Sequence, residues 1–150
     1  MRIRIIRPAD YRALAEFRYQ IRRFLRFSEQ AARLLGLEPA QHQLLLAIKG
    51  SPGGETTATI TDLAERLQIQ HHSAVELADR LVKRGLVERA RDESDRRQVF
   101  IHLTAAGEAT LENLSVSHLD ELRCNGPALA ESLQRIAKHD GTSKRNSERR

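Results

Sequence analysis

Small and apolar residues recur at alternating steps of three and four in the first quarter of the chain. This spacing lines one side of a helix and is typical of a helix that packs along another helix. It predicts a long N-terminal helix over residues 9–35 that serves in assembly. The stripe consists of Leu14, Phe17, Ile21, Phe24, Ser28, Ala31 and Leu35.

Three shorter helical patterns follow, and their end residues are recognisable. Pro39 suits a first helical position and Gly50 suits a helix end, so a helix is predicted between them. Thr59 and Asp62 stand at capping-box spacing and predict a short helix that ends near Gln68. The next helix is predicted over residues 70–83, with Ala74, Leu77, Ala78 and Leu81 facing inward and His72, Glu76, Asp79 and Lys83 facing outward.

The second half of the chain changes from alternating to helical spacing. Residues 86–91 and 98–103 alternate, which predicts two short strands joined by a tip at 92–97. Helical spacing resumes after Thr104, breaks at Asn125-Gly126-Pro127 and returns before a polar end, residues 140–150, which is predicted to be a disordered basic tail. These patterns predict one mainly α domain over residues 1–150 with a small β-hairpin.

The charge of the chain favours a nucleic-acid partner without locating its site. The net charge is +5, and the basic residues are 21 Arg and 4 Lys. Arginine presents a planar fork that suits phosphates and base edges. Residues 1–35 carry a net +6, however, whereas residues 70–104 carry seven basic and six acidic groups.

Several classes of protein are disfavoured by the composition. No apolar run approaches the roughly 20 residues that span a bilayer. The start, MRIRIIRP, does not resemble a secretory signal. Cys124 is the single cysteine, so no intrachain disulfide can form and a cytoplasmic location is expected. Neither a phosphate-binding glycine loop nor a nucleophile elbow is present, and we predict no enzymatic activity and no cofactor.

The histidines are candidate metal ligands, and the cysteine is a candidate sensor of oxidants. His71 and His72 are adjacent, and adjacent helical side chains diverge by about 100°, which is poor geometry for one tetrahedral metal site. Hydrogen-bonded structural roles are favoured for the histidines, and no metal is predicted. Cys124 is interpreted as an ordinary free thiol.

The order short helix, turn, second helix and hairpin is that of a winged helix-turn-helix. Four pieces, LAERL, DRLVKRGLVER, DESDRR and LTAAG, stand at the spacing seen in the multiple-antibiotic-resistance regulator (MarR) family, which the sequence resembles. The block that contains them, residues 62–107, is about a third of the chain, and the flanking helices extend the resemblance over residues 9–139. The resemblance implies a DNA-binding lobe at 38–104, with its wing at 86–103, and dimerisation helices at 9–35 and 105–139.

The resemblance also implies roles for the charged wing tip. Arg97 would enter the minor groove, Asp95 would pair with it, and Arg96 would contact a phosphate. A narrow minor groove concentrates negative potential and attracts arginine, and a neighbouring carboxylate can direct a guanidinium before binding.

On the second helix of the motif, the resemblance implies a set of DNA contacts. His and Ser can reach base edges or phosphates, and Val75 can meet a thymine methyl. Glu76 could accept from a cytosine amino group or pair with Arg80, and both alternatives stay open here. Asp79 is expected to pair with Lys83. The helix contacts are assigned to His71, His72, Ser73, Val75, Glu76, Arg80 and Lys83.

The family further implies a homodimer on near-palindromic double-stranded DNA, acting most often as a repressor. Many members bind small aromatic or lipophilic effectors, and Tyr19, Arg22 and His42 are the candidate contacts by position, although they could equally be packing and surface groups. Some members bind zinc through residues of the second and fifth helices, where His42, His118 and Glu121 stand here, but structural roles are favoured for these histidines. The alternative is a winged-helix protein–protein module without specific DNA binding, which the acidic groups of residues 70–104 support.

Overall fold

The structure, a computed structural model, describes residues 6–54 and 56–138. Two antiparallel strands, β1 (Val87–Arg91) and β2 (Val99–Leu103), form one hairpin. This mainly α architecture with a small hairpin confirms the predicted fold class. The predicted tail, residues 140–150, lies outside the described residues. The helices are α1 (Pro8–Leu34), α2 (Pro39–Lys49), α3 (Ile60–Leu67), α4 (His71–Lys83) and α5 (Ala105–Lys138).

The chain forms two compact units. Of the described residues, the first unit contains 6–28 and 118–138, and the second contains 29–54 and 56–117. Across the parts of the chain that the structure describes, none of the helices is long and apolar enough to cross a membrane.

The second unit has an aliphatic core that holds the helix-turn-helix and the hairpin together. The hairpin is attached to the segment before α3, because Ile101 N–H donates to the Ala58 carbonyl at 2.8 Å. Burial of each large aliphatic side chain contributes about 1.5–3 kcal/mol. The fully buried side chains are Leu37, Leu44, Leu45, Ile48, Leu63, Leu81, Val87 and Ile101.

The predicted capping box at the start of α3 is confirmed. Thr59 is the N-cap, and its Oγ1 accepts from the Asp62 N–H at 3.2 Å. Asp62 Oδ2 accepts from the Thr59 N–H at 3.1 Å and from its hydroxyl at 2.7 Å. These hydrogen bonds favour the charged carboxylate, so the donors of Thr59 hold the pKa of Asp62 below its ordinary value of 3.8.

We expect this cap to make stability depend on pH through Asp62. Because the folded pKa is lowered, the contribution of the carboxylate is fully present above its unfolded pKa and is lost as pH falls through the folded pKa. The difference in unfolding free energy between the wild type and Asp62→Asn should therefore shrink below about pH 4. Urea unfolding at pH 7 and at pH 3 measures this difference; a difference that is equal at both values would contradict the role of the charged carboxylate.

In the first unit, His118 lies among aromatic and polar partners rather than metal ligands. Its Nε2 is 2.7 Å from Ser28 Oγ. The rings of Phe24 and Phe27 meet the imidazole edge-on, with centroid distances of 6.1 and 5.5 Å. This environment explains His118 as part of the packing around the predicted helix seam.

The predicted break at Asn125-Gly126-Pro127 is wrong, because α5 continues through Pro127 to Lys138. Proline removes one backbone donor and interferes with the preceding turn, at a cost of about 3 kcal/mol in a helix interior. Side-chain contacts support the helix here: Asn125 Nδ2 donates to Glu121 Oε1 at 2.8 Å, and Arg23 Nη2 donates to Asn125 Oδ1 at 3.5 Å. Tertiary contact thus outweighs a local breaking signal.

Candidate nucleic-acid interface

The second unit contains a helix-turn-helix made of α3 and α4. Gln68 ends α3 in the left-handed region with φ 55°, and Gln70 is the N-cap of α4 in extended conformation. The predicted inward face of α4 is confirmed, since its four residues are all buried. Packing through that face leaves the opposite face of α4 open to a partner.

Most of the residues predicted to contact DNA lie on this open face. His71, His72 and Glu76 are exposed, whereas Ser73 and Val75 are half-buried beside them. Arg80 and Lys83 are exposed toward the C-terminal end. No ion pair joins Glu76 to Arg80 in the described part of the chain.

The expected pairing of Asp79 with Lys83 is wrong. Asp79 Oδ1 instead accepts from Arg89 Nη2, which projects from β1. The sequence separation of ten residues hides this contact, because only the folding of the hairpin against α4 brings the two side chains together. The ion pair links the wing to α4 and gives one of the two carboxylates of α4 a partner.

The wing tip is organised by short-range hydrogen bonds that Asp92 and Asp95 accept. Asp92 Oδ1 accepts from both the N–H and the hydroxyl of Ser94 at 2.9 Å, and these bonds lower the pKa of Asp92. Asp95 Oδ1 accepts from the backbone N–H of Arg97 at 3.0 Å. The loop closes where the Gln98 N–H donates to the Asp95 carbonyl at 3.0 Å.

The contact between Asp95 and Arg97 therefore differs from the expected pairing. The carboxylate binds the backbone amide of Arg97, and residues 6–54 and 56–138 provide no ion pair for its guanidinium. Arg96 and Arg97 are both exposed. Asp95 thus shapes the loop, and both guanidinium groups project from it.

In residues 70–104, most carboxylates have partners within the protein, whereas most cations do not. Four of the six carboxylates in residues 70–104 have donors nearby, including Glu88, whose Oε1 is 2.9 Å from His102 Nε2 across the hairpin. Among the described residues, five of the seven cations have neither an ion-pair partner nor a side-chain hydrogen bond. An unpaired guanidinium or ammonium is available to an anionic ligand such as phosphate. These five cations are Arg80, Lys83, Arg91, Arg96 and Arg97.

Two further arginines of this unit make contacts that the sequence does not predict. Arg89 pairs with Asp79, as described above, and Arg84 Nη1 donates to the Gly36 carbonyl at 2.6 Å and to Gln41 Oε1 at 3.2 Å. Neither contact has a local signal, because the partners of Arg84 are 43 and 48 residues away along the chain.

The candidate effector and metal residues are distributed over both units. Tyr19 is 55% exposed and Arg22 is exposed on α1, whereas His42 is only 2% exposed in α2. Cys124 is exposed on α5. Within the described ranges, no three His, Cys, Asp or Glu side chains are grouped as metal ligands would be.

Comparison with known proteins agrees with this geometry. The chain is 35% identical over 65 residues to the uncharacterized HTH-type transcriptional regulator YsmB of Bacillus subtilis (strain 168), covering 43% of this chain and 44% of that protein. It spans less than two thirds of the length of the curated relatives that it matches.

Solved structures share the fold. AbsC, a MarR family transcriptional regulator from Streptomyces coelicolor, is 22% identical with a TM-score of 0.70, over 93% of this chain and 99% of AbsC. A mutant of S. aureus MepR bound to an oligodeoxyribonucleotide is also 22% identical, with a TM-score of 0.61, over 85% of this chain and 91% of that one.

The sequence profile of the MarR family matches residues 35–98, which include the helix-turn-helix and the wing tip. This family and this fold are those of transcriptional regulators, which agrees with the prediction that the chain is not an enzyme. Through residues 35–98, with the α3–α4 motif and the wing tip described above, this part of the chain matches the MarR family.

Proposed function

We propose that this protein is a homodimeric, sequence-specific DNA-binding repressor of transcription. The observation that carries the proposal is the wing tip, where the carboxylates of Asp92 and Asp95 accept from backbone and hydroxyl donors. The guanidinium groups of Arg96 and Arg97 have no ion-pair partner in the described residues. This arrangement presents two unpaired guanidinium groups on a loop that hydrogen bonds hold in place. A narrow minor groove of DNA attracts such groups because its negative potential is concentrated.

The two elements of the interface have different roles in the proposal. α4 enters the major groove, where His72 and Ser73 contact base edges and Val75 meets a thymine methyl. The wing places Arg97 in the adjacent minor groove and Arg96 against a phosphate. The ion pair between Asp79 and Arg89 supports this reading, because it gives an acidic side chain of α4 a partner within the protein.

Exposed apolar side chains in the first unit support the homodimer. Leu14 is 49% exposed although it belongs to the predicted helix seam, and Tyr11 and Leu119 are exposed by more than half. Large apolar side chains that recur on one unit are typical of surfaces that a partner covers. With two-fold symmetry, the two α4 helices would lie about 34–36 Å apart on half-sites separated by one turn of DNA.

We expect the purified protein to sediment as a dimer at micromolar concentration. Leu14→Glu should shift it toward monomer, because it introduces a charge into an apolar seam that the partner covers. Arg18→Glu, at an exposed position of the same helix away from the predicted seam, is the control. A wild-type monomer in sedimentation analysis would contradict the proposed assembly.

The first test of the proposed function is selection of bound fragments from sheared genomic DNA of the source organism at near-physiological salt. Enrichment of one or a few near-palindromic sites would support sequence-specific regulation and identify the operator. Weak binding that ignores sequence and disappears as salt rises would contradict it. That outcome would favour the alternative, a winged-helix protein-interaction module.

The second part of the proposal is release of DNA by a small aromatic or lipophilic effector. An effector dissociates the complex only if it binds the DNA-incompetent state more tightly than the DNA-bound state. The selected fragments provide the assay, since aromatic acids can be screened for release of a labelled operator. Arg22→Ala and Tyr19→Ala should then weaken the response to the effector without weakening DNA binding in its absence.

A further inference from the structure

Arg84 connects the C-terminal end of α4 to the turn between α1 and α2. It is the C-cap residue of α4, and its N–H donates to the Arg80 carbonyl at 3.2 Å. Its side chain reaches the turn, where Nη1 donates to the Gly36 carbonyl and to Gln41 Oε1. One guanidinium therefore holds together three segments of the second unit.

The turn that receives Arg84 is itself closely defined. Gly36 adopts φ +72°, and the N–H groups of Gly36 and Leu37 donate to the carbonyls of Arg33 and Ala32 at 2.9 and 3.0 Å. This is the pattern that ends a helix with a left-handed glycine. Leu37 is only 1% exposed, so its burial in the core fixes the turn from the other side.

Gln41 is the second acceptor of the Arg84 guanidinium. Its Oε1 accepts from the Glu38 N–H at 2.9 Å at the start of α2 as well as from Arg84, and the residue is 5% exposed. Both acceptors of Arg84 are neutral, so these contacts do not compensate its charge. They fix the position of the guanidinium instead. A cation held by two directed acceptors has fewer accessible rotamers than a solvated one.

We propose that Arg84 is a positioning residue that fixes α4 relative to the end of α1. By doing so it sets the spacing of DNA half-sites that the dimer accepts. The inference rests on the proposed function, because α1 carries the seam assigned to dimerisation. The chain path from that seam to α4 passes through the turn that Arg84 binds. Loosening this contact allows α4 a wider range of positions, and the dimer then tolerates operators of more than one spacing.

The test uses the full-length protein and duplexes of the selected operator with zero, one or two base pairs inserted at its centre. Two base pairs displace one half-site by about 7 Å and rotate it by about 70°. The wild type should prefer the native spacing over the two-base-pair insertion by at least about tenfold. Arg84→Ala and Gln41→Ala should each reduce that preference at least about threefold, because each removes one side of the contact.

Two further variants separate positioning from other effects. Arg84→Lys should recover part of the preference, since an ammonium can still donate to the Gly36 carbonyl. Gln43→Ala is the matched control for Gln41→Ala, because Gln43 is exposed on the same helix, and it should behave as the wild type. If Arg84→Ala does not fold, Gln41→Ala carries the test.

The competing role for Arg84 is a phosphate contact, which the salt dependence distinguishes. Loss of a phosphate contact lowers the slope of log affinity against log salt by about 0.9, whereas loss of positioning leaves this slope unchanged. Wild-type spacing preference in both Arg84→Ala and Gln41→Ala, or a reduced slope with preference retained, would overturn the inference while operator binding by the wild type still stands. Failure of the wild type to select any operator would overturn the proposed function and the inference with it.

Discussion

Arg97→Ala is expected to weaken binding to the selected operator by about 1–3 kcal/mol, a loss of roughly fivefold to more than a hundredfold. The guanidinium is exposed at the wing tip, and no ion pair in the described residues engages it. In a minor groove it would meet concentrated negative potential, which alanine cannot exploit. Competition binding at fixed salt measures the loss, and thermal unfolding should show no change because the side chain packs against no core residue.

Two controls define what Arg97 contributes. Arg33→Ala removes the same charge from an exposed arginine of α1 that pairs with Glu29 at 3.6 Å, and it should leave operator affinity nearly unchanged. Arg97→Lys retains the charge without the planar fork and should fall between the wild type and the alanine variant. Operator affinity equal to that of the wild type in Arg97→Ala would refute the minor-groove role.

Gly107→Ala is expected to lower the free energy of unfolding by about 2–3 kcal/mol. A Cβ at this position would lie 2.0 Å from the Leu86 carbonyl oxygen and 3.0 Å from its carbon. Backbone atoms cannot yield as a flexible side chain can. Alanine favours a helix over glycine by about 1 kcal/mol, but the collision outweighs this gain.

The collision matters because Gly107 lies where three elements meet. Thr104 Oγ1 accepts from the Gly107 N–H at 3.1 Å and donates to the Gly85 carbonyl at 2.6 Å, while the Thr104 N–H donates to the Leu86 carbonyl at 3.1 Å. The start of α5 is thus bound directly to the end of α4 and the entry to β1. Thr104 therefore caps the start of α5.

Gly126→Ala is the matched control for Gly107→Ala, because it adds the same methyl group to the same helix. The nearest atom to its new Cβ would be Leu122 Cβ at 3.9 Å, an ordinary contact. We expect the unfolding free energy of this variant to stay within about 1 kcal/mol of the wild type. Equal urea midpoints for Gly107→Ala and the wild type would show that Leu86 and α5 can separate without cost.

Features that depend on neighbouring residues could be predicted from the sequence. The capping box of Thr59 and Asp62, the buried face of α4 and the presence of the two strands each follow from spacings of two to four residues. Such spacings determine which side chains share a face or reach a helix end. The position of the wing tip belongs to this group, but the expected pairing of Asp95 with the Arg97 guanidinium does not, because the Asp95 carboxylate accepts from the backbone N–H of Arg97 instead.

Features that depend on distant residues were decided by the tertiary structure. Asp79 pairs with Arg89 instead of the local Lys83, and Arg84 binds the α1–α2 turn, because folding brings these distant groups together. Pro127 stays within α5 although its local signal is that of a break. A sequence pattern records which residues are neighbours along a helix or strand, whereas these contacts depend on how separate elements pack, and only the folded chain defines that packing.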